Sequence, residues 1–291
     1  MTQVNAAQRD MDDVWHALPF MVKPMFELLV NVENMRDDDP AVQAGMALAS
    51  RHGAFLTGLN IVEAFPSTMV MPDVAAVLQL QEEEAKARHA WWTEKCRANG
   101  VAGAWEVIRG MYVPVLARRS CMADLTVSRL PDDDNMLPGG MDYITRALFS
   151  SASPMLLVPS SYQEPFRLER ILVGWNSTQQ SMRALRASLP FLRDAEMVCL
   201  VDGSMNEMPG LAPPPLPVRD WLERQGVMVH TVREFPAATR VGGALLEQAR
   251  AMEADLLVMG AWGHSRINEL ILGGTTRHVL EHASLPVLLA H

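Results

Sequence analysis

From Arg170 to the last residue, short apolar runs alternate with longer segments of helical period, and this alternation restricts the possible folds most strongly. The runs are only five or six residues long and rich in Val and Leu, which is typical of buried strands. They lie at Arg170–Trp175, Glu196–Val201, Val227–Val232, Asp255–Met259 and Pro286–Ala290. Amphipathic helices are predicted between them, at Ser181–Arg193, Val218–Gln225, Thr239–Met252 and Gly274–His282. This order predicts an α/β domain with an open parallel sheet.

The first half of the chain shows the same order more faintly. Strands are predicted at Phe26–Val32, Ala54–Val62, Asp124–Val127 and Met155–Val158, and helices at Pro40–His52 and near Val74–Asn99. The two halves align without gaps when residues 123–157 are set against residues 254–288, and nine positions are then identical. The sequence therefore indicates an internal duplication.

The chain length agrees with two domains, because 291 residues with 49% hydrophobic side chains can form two cores of ordinary size. We expect an N-terminal extension at residues 1–25, a degenerate domain at residues 26–159, a linker at residues 160–167 and a second domain at residues 168–291.

The segment with the clearest chemical meaning follows the strand Asp255–Met259 and precedes the last helix. It contains Gly260, Gly263, Gly273 and Gly274, followed by Thr275 and Thr276. Glycines allow a close backbone approach to an oxyanion, and the free amides of a helix N-terminus favour a phosphate chain. The glycines could also be simple turn residues and the threonines simple helix caps.

The spacing G-x2-G-x9-G followed by hydroxyl residues resembles the phosphate-binding signature of the universal stress protein family. The surrounding segment ADLLVMGAWGHSRINELILGGTTRHVLEHASLPVLLAH is similar to that family's usual ending, and RILVGWNSTQQSMRAL looks like its first strand and loop. The resemblance covers residues 168–291 strongly and residues 26–158 only in the order of elements. It implies two tandem Rossmann-like domains of the adenine nucleotide α-hydrolase-like type.

The resemblance also implies a ligand, which is ATP or a related adenine nucleotide, with Mg²⁺ as a possible companion ion. It implies that Asn176 faces the nucleoside, that Val201 contacts adenine through its backbone, and that Met259 lies at the base of the glycine loop. The implied phosphate-binding residues are Gly260, Gly263, Gly273, Thr275 and Thr276. Gly274 and His264 are further candidates for contact with the ligand, and His264 could also be a solvated loop residue.

Two positions depart from the nucleotide-binding branch of the family. Asn176 stands where that branch has Asp, so only an uncharged amide oxygen can accept from a ribose hydroxyl, and Gly274 stands where it usually has Ser or Thr. Each change is expected to weaken binding by about 0.5–1.5 kcal/mol, the value of one hydrogen bond. Residues 161–291 contain no lysine, which excludes a Walker P-loop there and leaves Arg266, Arg277 and His264 as the cations nearest the motif.

In the first half, Arg129, Asp132, Asp142 and Tyr143 occupy the positions of the four glycines, and Glu33 occupies that of Asn176. The run Asp132–Asp134 would repel a phosphate. It could also suggest a metal site, but it lacks the ligand spacing of a calcium loop and is better interpreted as a solvated loop. We therefore expect the first half to bind no nucleotide.

Charge and cysteine content restrict the cellular compartment and the binding partners of the protein. The formal net charge of −9 disfavours binding to nucleic acid or anionic lipid, and no apolar segment reaches membrane-spanning length. The first 20 residues lack a basic segment followed by an apolar core, and the three cysteines are widely separated, so we expect a cytoplasmic protein with reduced thiols.

Three functions remain open on the sequence alone. The first is a stress-response regulatory module that binds an adenine nucleotide and unknown protein partners. The second is an enzyme, although no catalytic triad or carboxylate pair is evident by spacing, and slow ATP hydrolysis is the most that we expect. The third is a tandem scaffold without nucleotide. Because the family often pairs its last strands across a dimer, the chain could be a monomeric pseudo-dimer or a homodimer.

Overall fold

A computed structural model describes residues 26–65, 72–130, 140–151, 153–163, 165–203, 216–234, 241–261 and 274–291. The strands are β1 (Glu27–Asn31), β2 (Phe55–Glu63), β3 (Ala102–Gly110), β4 (Leu125–Leu130), β5 (Met155–Pro159), β6 (Arg170–Trp175), β7 (Met197–Asp202), β8 (Thr231–Glu234), β9 (Leu256–Gly260) and β10 (Val287–Ala290). The helices are α1 (Pro40–His52), α2 (Pro72–Ala87), α3 (His89–Ala98), α4 (Tyr112–Ser120), α5 (Gly140–Ser150), α6 (Gln179–Asp194), α7 (Val218–Arg224), α8 (Val241–Ala251) and α9 (Gly274–His282).

The described strands form one continuous sheet in the order β3-β2-β1-β4-β5-β10-β9-β6-β7-β8. Both halves therefore have the same strand order, counted from the outer edge to the centre of the sheet. Strands within each half are parallel, whereas β5 and β10 pair antiparallel at the junction, with Leu156 opposite Leu288. The last strands of the two halves thus pair within one chain, and the predicted α/β class with mostly parallel strands is confirmed.

Apolar side chains of the sheet point to both faces, as expected for strands covered by helices on each side. One buried cluster contains Val30, Phe191 and Leu288, and another contains Leu29, Leu157 and Val279. Each cluster includes residues from both halves. Burial of apolar surface therefore stabilises the junction as well as each half.

The internal repeat has a direct structural meaning at two aspartates. The Asp124 carboxylate accepts a hydrogen bond of 2.8 Å from the backbone N–H of Glu27, at the start of β1. The Asp255 carboxylate accepts from the N–H groups of Glu169 and Arg170, at 2.9 and 2.8 Å, at the start of β6. In both halves, the same aspartate therefore ties the fourth strand to the first.

The region between residues 72 and 120 differs most from the prediction. The long helix predicted near Val74–Asn99 is two helices, because the chain turns at Arg88 between α2 and α3. The turn allows Trp92 to pack on β2, where a β-carbon added at Gly58 would lie 2.7 Å from its ring. Trp92 is only 1% exposed.

Strand β3 and helix α4 were not predicted from the sequence. The segment AGAWEVIRG of β3 is half-buried along most of its length and begins with small residues, so it lacks the apolar run of the other strands. The strand predicted at Val227–Val232 was placed too early, since the sheet pairing begins at Thr231.

Two of the three cysteines, Cys96 and Cys199, are buried, and Cys121 is exposed. Within the described ranges, the helices are all too short or too polar to cross a bilayer.

Candidate functional site in the crossover crevice

The carboxyl ends of β6 and β9 lie side by side at the point where the strand order of the second half reverses. Ligands of open α/β sheets bind in the crevice at such a point, because the connections leave in opposite directions. Strand β6 ends at Trp175 and β9 ends at Gly260. This crevice, between β6 and β9, is therefore the candidate site, and we call it the C-terminal crevice.

A tight turn from β6 to α6 forms one wall of the C-terminal crevice. Asn176 is half-buried, and its side-chain oxygen accepts a hydrogen bond of 2.7 Å from the Thr178 hydroxyl. Ser177 has a φ of 59°, which is uncommon for a residue other than glycine. Thr178 caps α6 in a reciprocal capping box with Ser181. The turn thus fixes the position of the Asn176 amide.

Gly260 lies directly against the first turn of α6. A β-carbon at this position would lie 2.5 Å from the Ser181 amide nitrogen and 2.8 Å from the Gln180 carbonyl carbon. Any other residue would therefore push the helix away from the sheet. Helix packing alone requires a glycine at this position, whether or not a phosphate approaches it.

Val201 and Met259 lie inside strands, with buried side chains. Val201 pairs with Gly174 on one side and with Arg233 on the other, and β7 continues one residue beyond it to Asp202. Met259 pairs with Gly174 and Leu289. Both residues lie near the carboxyl ends of their strands, and their predicted contacts with a nucleotide remain predictions.

The remaining described motif residues form the first turn of α9. Gly274 is exposed, and a β-carbon added there would meet no described atom within 4 Å. Thr275 is half-buried, and its carbonyl oxygen is 3.0 Å from a β-carbon built at Gly242, so α8 packs closely on this turn. Thr276 is only 2% exposed. Gly274 and Thr275 are therefore the accessible positions of this turn.

Gly263, His264 and Gly273, together with Arg266 and the Asp132–Asp134 run, lie outside the described residues. Their predicted roles remain predictions. Arg277 is described, and its guanidinium pairs with Glu281 at 2.7 Å on the same helix.

The equivalent crevice of the first half, between β1 and β4, is filled by side chains of the chain itself. Glu33, which occupies the position of Asn176, forms an ion pair of 3.0 Å with Arg129, which occupies the position of Gly260. Around this pair, Asn31 donates to Glu33, Tyr112 and Ser128, at 3.0, 2.7 and 3.1 Å. These contacts give the first half a polar network at the position where the second half has a glycine.

Tyr112 contributes a neutral hydroxyl to this network. Burial, and secondarily the Glu33 carboxylate, raise the pKa of Tyr112 far above its ordinary value. Its hydroxyl is therefore protonated at any physiological pH and can donate to the Glu33 carboxylate, 3.5 Å away. One feature of the sequence could have indicated this network. The apolar strand ELLVN ends in a polar residue, Asn31.

The sequence reasoning also missed Thr178 and Ser181, which hold the turn of Asn176, and Gly203, whose N–H donates to the Trp175 carbonyl at 2.7 Å. The pattern T-x-x-S before a helical segment is the kind of signal that identifies a capping box. As far as the structure describes the chain, His, Cys, Asp and Glu side chains form no group of three suited to a metal ion.

Residues 168–291 match the model of the universal stress protein family. A universal stress protein from Synechocystis is 28% identical over 145 residues, which cover 49% of this chain and 48% of that protein. The chain therefore matches about half the length of this curated relative.

Two solved structures resemble nearly the whole chain. A universal stress protein from Archaeoglobus fulgidus has a TM-score of 0.68 at 14% identity, covering 91% of this chain and 95% of its own. A candidate universal stress protein from Pseudomonas aeruginosa has a TM-score of 0.58 at 15% identity, covering 92% and 93%. These similarities show a shared fold. The match to the universal stress protein family itself covers residues 168–291.

Proposed function

We propose that the second half binds ATP or a related adenine nucleotide in the C-terminal crevice, and that each chain has one such site. The observation that carries this proposal is the difference between the two crevices. Gly260 and the uncharged Asn176 border the C-terminal crevice, whereas the Glu33–Arg129 ion pair closes its counterpart in the first half.

The described residues fit such a ligand. The Asn176 amide would face the ribose, the edge of β7 at Val201 and Asp202 would face the base, and the first turn of α9 would face the phosphates. The accessible amides at Gly274 and Thr275 suit an anion, and Mg²⁺ bound with the phosphates would offset part of their charge. A free β-carbon position at Gly274 leaves space for the phosphates or for a hydroxyl side chain.

We infer a binding and regulatory role rather than a catalytic one, in a cytoplasmic stress-response protein that changes its partner contacts with nucleotide. Asn176 and Thr178 are hydrogen-bonded to each other, and neither is a general base at neutral pH.

The test is calorimetric titration of ATP and Mg²⁺ into the full chain, together with mass spectrometry of small molecules released on denaturation. We expect one site per chain.

Gly263→Asp, which introduces the residue of the first half, should abolish binding, because a carboxylate repels phosphate. Asn176→Asp keeps the acceptor for Thr178 and adds a charge for the ribose, so affinity should rise about 2- to 10-fold.

Gly274→Ser is the second gain-of-affinity variant, since it adds a hydroxyl where the structure has free space. The matched control is Gly53→Ser, at the left-handed C-terminus of α1 with a φ of 63°, which should leave ATP affinity unchanged. An absence of released nucleotide and of binding heat up to millimolar ATP, for wild type and both gain-of-affinity variants, would contradict the proposal.

A scaffold without nucleotide is the second candidate, and a specific observation favours it. Gly260 is required by the packing of α6, and Thr276 is buried, so these motif residues have roles in the fold alone. In that case, the two halves would serve as a rigid platform for protein partners, and the titration above would show no binding.

A further inference from the structure

Two histidines, His278 and His282, lie one helical turn apart near the C-terminal end of α9. Residues four apart share a helix face. Their rings are stacked, with centroids 4.3 Å apart and planes inclined by 24°. We propose that this pair is a surface site for a divalent transition-metal ion of the class Zn²⁺, Ni²⁺ and Cu²⁺, separate from the C-terminal crevice.

The hydrogen bonding of His282 prepares it as a ligand. Its Nδ1 lies 2.9 Å from the His278 carbonyl oxygen. A carbonyl oxygen can only accept, so this contact places the proton on Nδ1 and leaves the lone pair of Nε2 available. Histidine ligands of metals commonly donate their other ring nitrogen to a carbonyl or carboxylate in this way.

The position of His278 is set by the neighbouring helix α8. A β-carbon added at Gly242 would lie 3.1 Å from the β-carbon of His278 and 3.1 Å from its Cδ2 atom. The two glycines, Gly242 and Gly243, therefore make room for this ring beside the α8 backbone. Apart from the contact to the carbonyl, the two rings make no hydrogen bond or ion pair with any described residue.

The donor set determines the class of ion. Imidazole nitrogens favour Zn²⁺, Cu²⁺ and Ni²⁺, whereas Mg²⁺ and Ca²⁺ require oxygen ligands. The carboxylate on the same turn, Glu281, is paired with Arg277 at 2.7 Å. Two histidines therefore supply the protein ligands, and water completes the coordination. The ring of His278 would turn about its terminal torsion, which has broad energy wells, while His282 keeps its Nδ1 contact.

The experiment is titration of ZnCl₂ and NiCl₂ into the full chain by calorimetry, with MgCl₂ as the ion that should not bind. His278→Gln and His282→Gln each remove one arm of the chelate, and each should weaken affinity by about tenfold or more. The matched control is His89→Gln, which removes an exposed histidine without a histidine neighbour on its helix and should change nothing. Bound Zn²⁺ should also raise the Tm of the wild type, and less so that of the two variants.

If His282→Gln binds Zn²⁺ as tightly as the wild type, the proposal is wrong. It is equally wrong if His89→Gln loses as much affinity as the other two variants. Should His278→Gln disturb the packing on α8, His282→Gln still tests the site, because the ring of His282 is exposed. ATP titrations of the same variants distinguish this site from the nucleotide site, since neither substitution lies in the C-terminal crevice.

Discussion

Gly260 and Gly274 belong to one motif in the sequence, but their physical roles differ. The backbone of α6 presses against Gly260, so the absence of a β-carbon is a packing requirement there. Gly274 has open space where its β-carbon would be. A glycine motif can therefore combine a residue that packing requires to be glycine with one that packing leaves free to change.

Alanine substitutions should separate these two roles. Gly260→Ala should lower the free energy of unfolding by about 1–3 kcal/mol, because a buried methyl group would overlap the first turn of α6. Gly274→Ala, the matched control at the exposed start of α9, should change it by less than about 1 kcal/mol. Urea denaturation of the two variants measures both values. Equal stability would mean that α6 can move away from β9 without cost.

At the scale of elements, capping side chains at the helix ends fix the walls of both crevices. Thr178 caps α6 beside the C-terminal crevice, and Asp39 caps α1 beside the polar network. Asp39 is 4% exposed and accepts from the N–H groups of Ala41 and Val42, at 2.9 and 3.2 Å. Burial raises the pKa of Asp39 above its ordinary value, although the two backbone hydrogen bonds act in the opposite direction.

Asp39→Ala should cost about 0.5–2 kcal/mol, because the amides lose their acceptor, whereas Asp39→Asn keeps a good cap. The native state binds the Asp39 proton more tightly than the unfolded chain does. Wild-type stability therefore falls as the pH rises from the ordinary Asp pKa through the raised native pKa. Relative to Asp39→Asn, the wild type should gain stability as the pH is lowered through that window. Denaturation at several acidic pH values checks this, and a pH-independent difference would contradict it.

At the scale of the whole molecule, the pairing of β5 with β10 joins two similar halves into one sheet. Leu288 lies opposite Leu156 at this junction, and both are buried in a cluster that contains core residues of both halves. The chain thereby contains the contact that two separate subunits would otherwise need to form. We expect the two halves to unfold together.

Leu288→Ala should lower the free energy of unfolding by about 2–5 kcal/mol, because it leaves a cavity at the junction. Hydrogen exchange followed by mass spectrometry should show faster exchange in strands of both halves. Leu80→Ala, on the exposed face of α2, is the control and should change stability by less than about 0.5 kcal/mol. Two separate transitions, with only the second half destabilised, would show that the halves are independent.

The sequence by itself determined the features that depend on local patterns. The apolar run of β6, the caps and period of α1, and the segment of α9 gave these elements their observed bounds, because such signals lie within a few neighbouring residues. The repeat predicted that both halves would share an order of elements, which the strand order shows. Strand β3 was missed because its residues are only half-buried and carry no strong pattern.

Only the tertiary structure decided what each crevice contains. The ion pair that closes the first crevice joins Glu33 and Arg129, which are 96 residues apart in sequence. The packing of Gly260 depends on where α6 lies, and the junction depends on an antiparallel pairing between the last strands of the two halves. Such contacts come from the folded arrangement of distant segments, and no local pattern of residues specifies them.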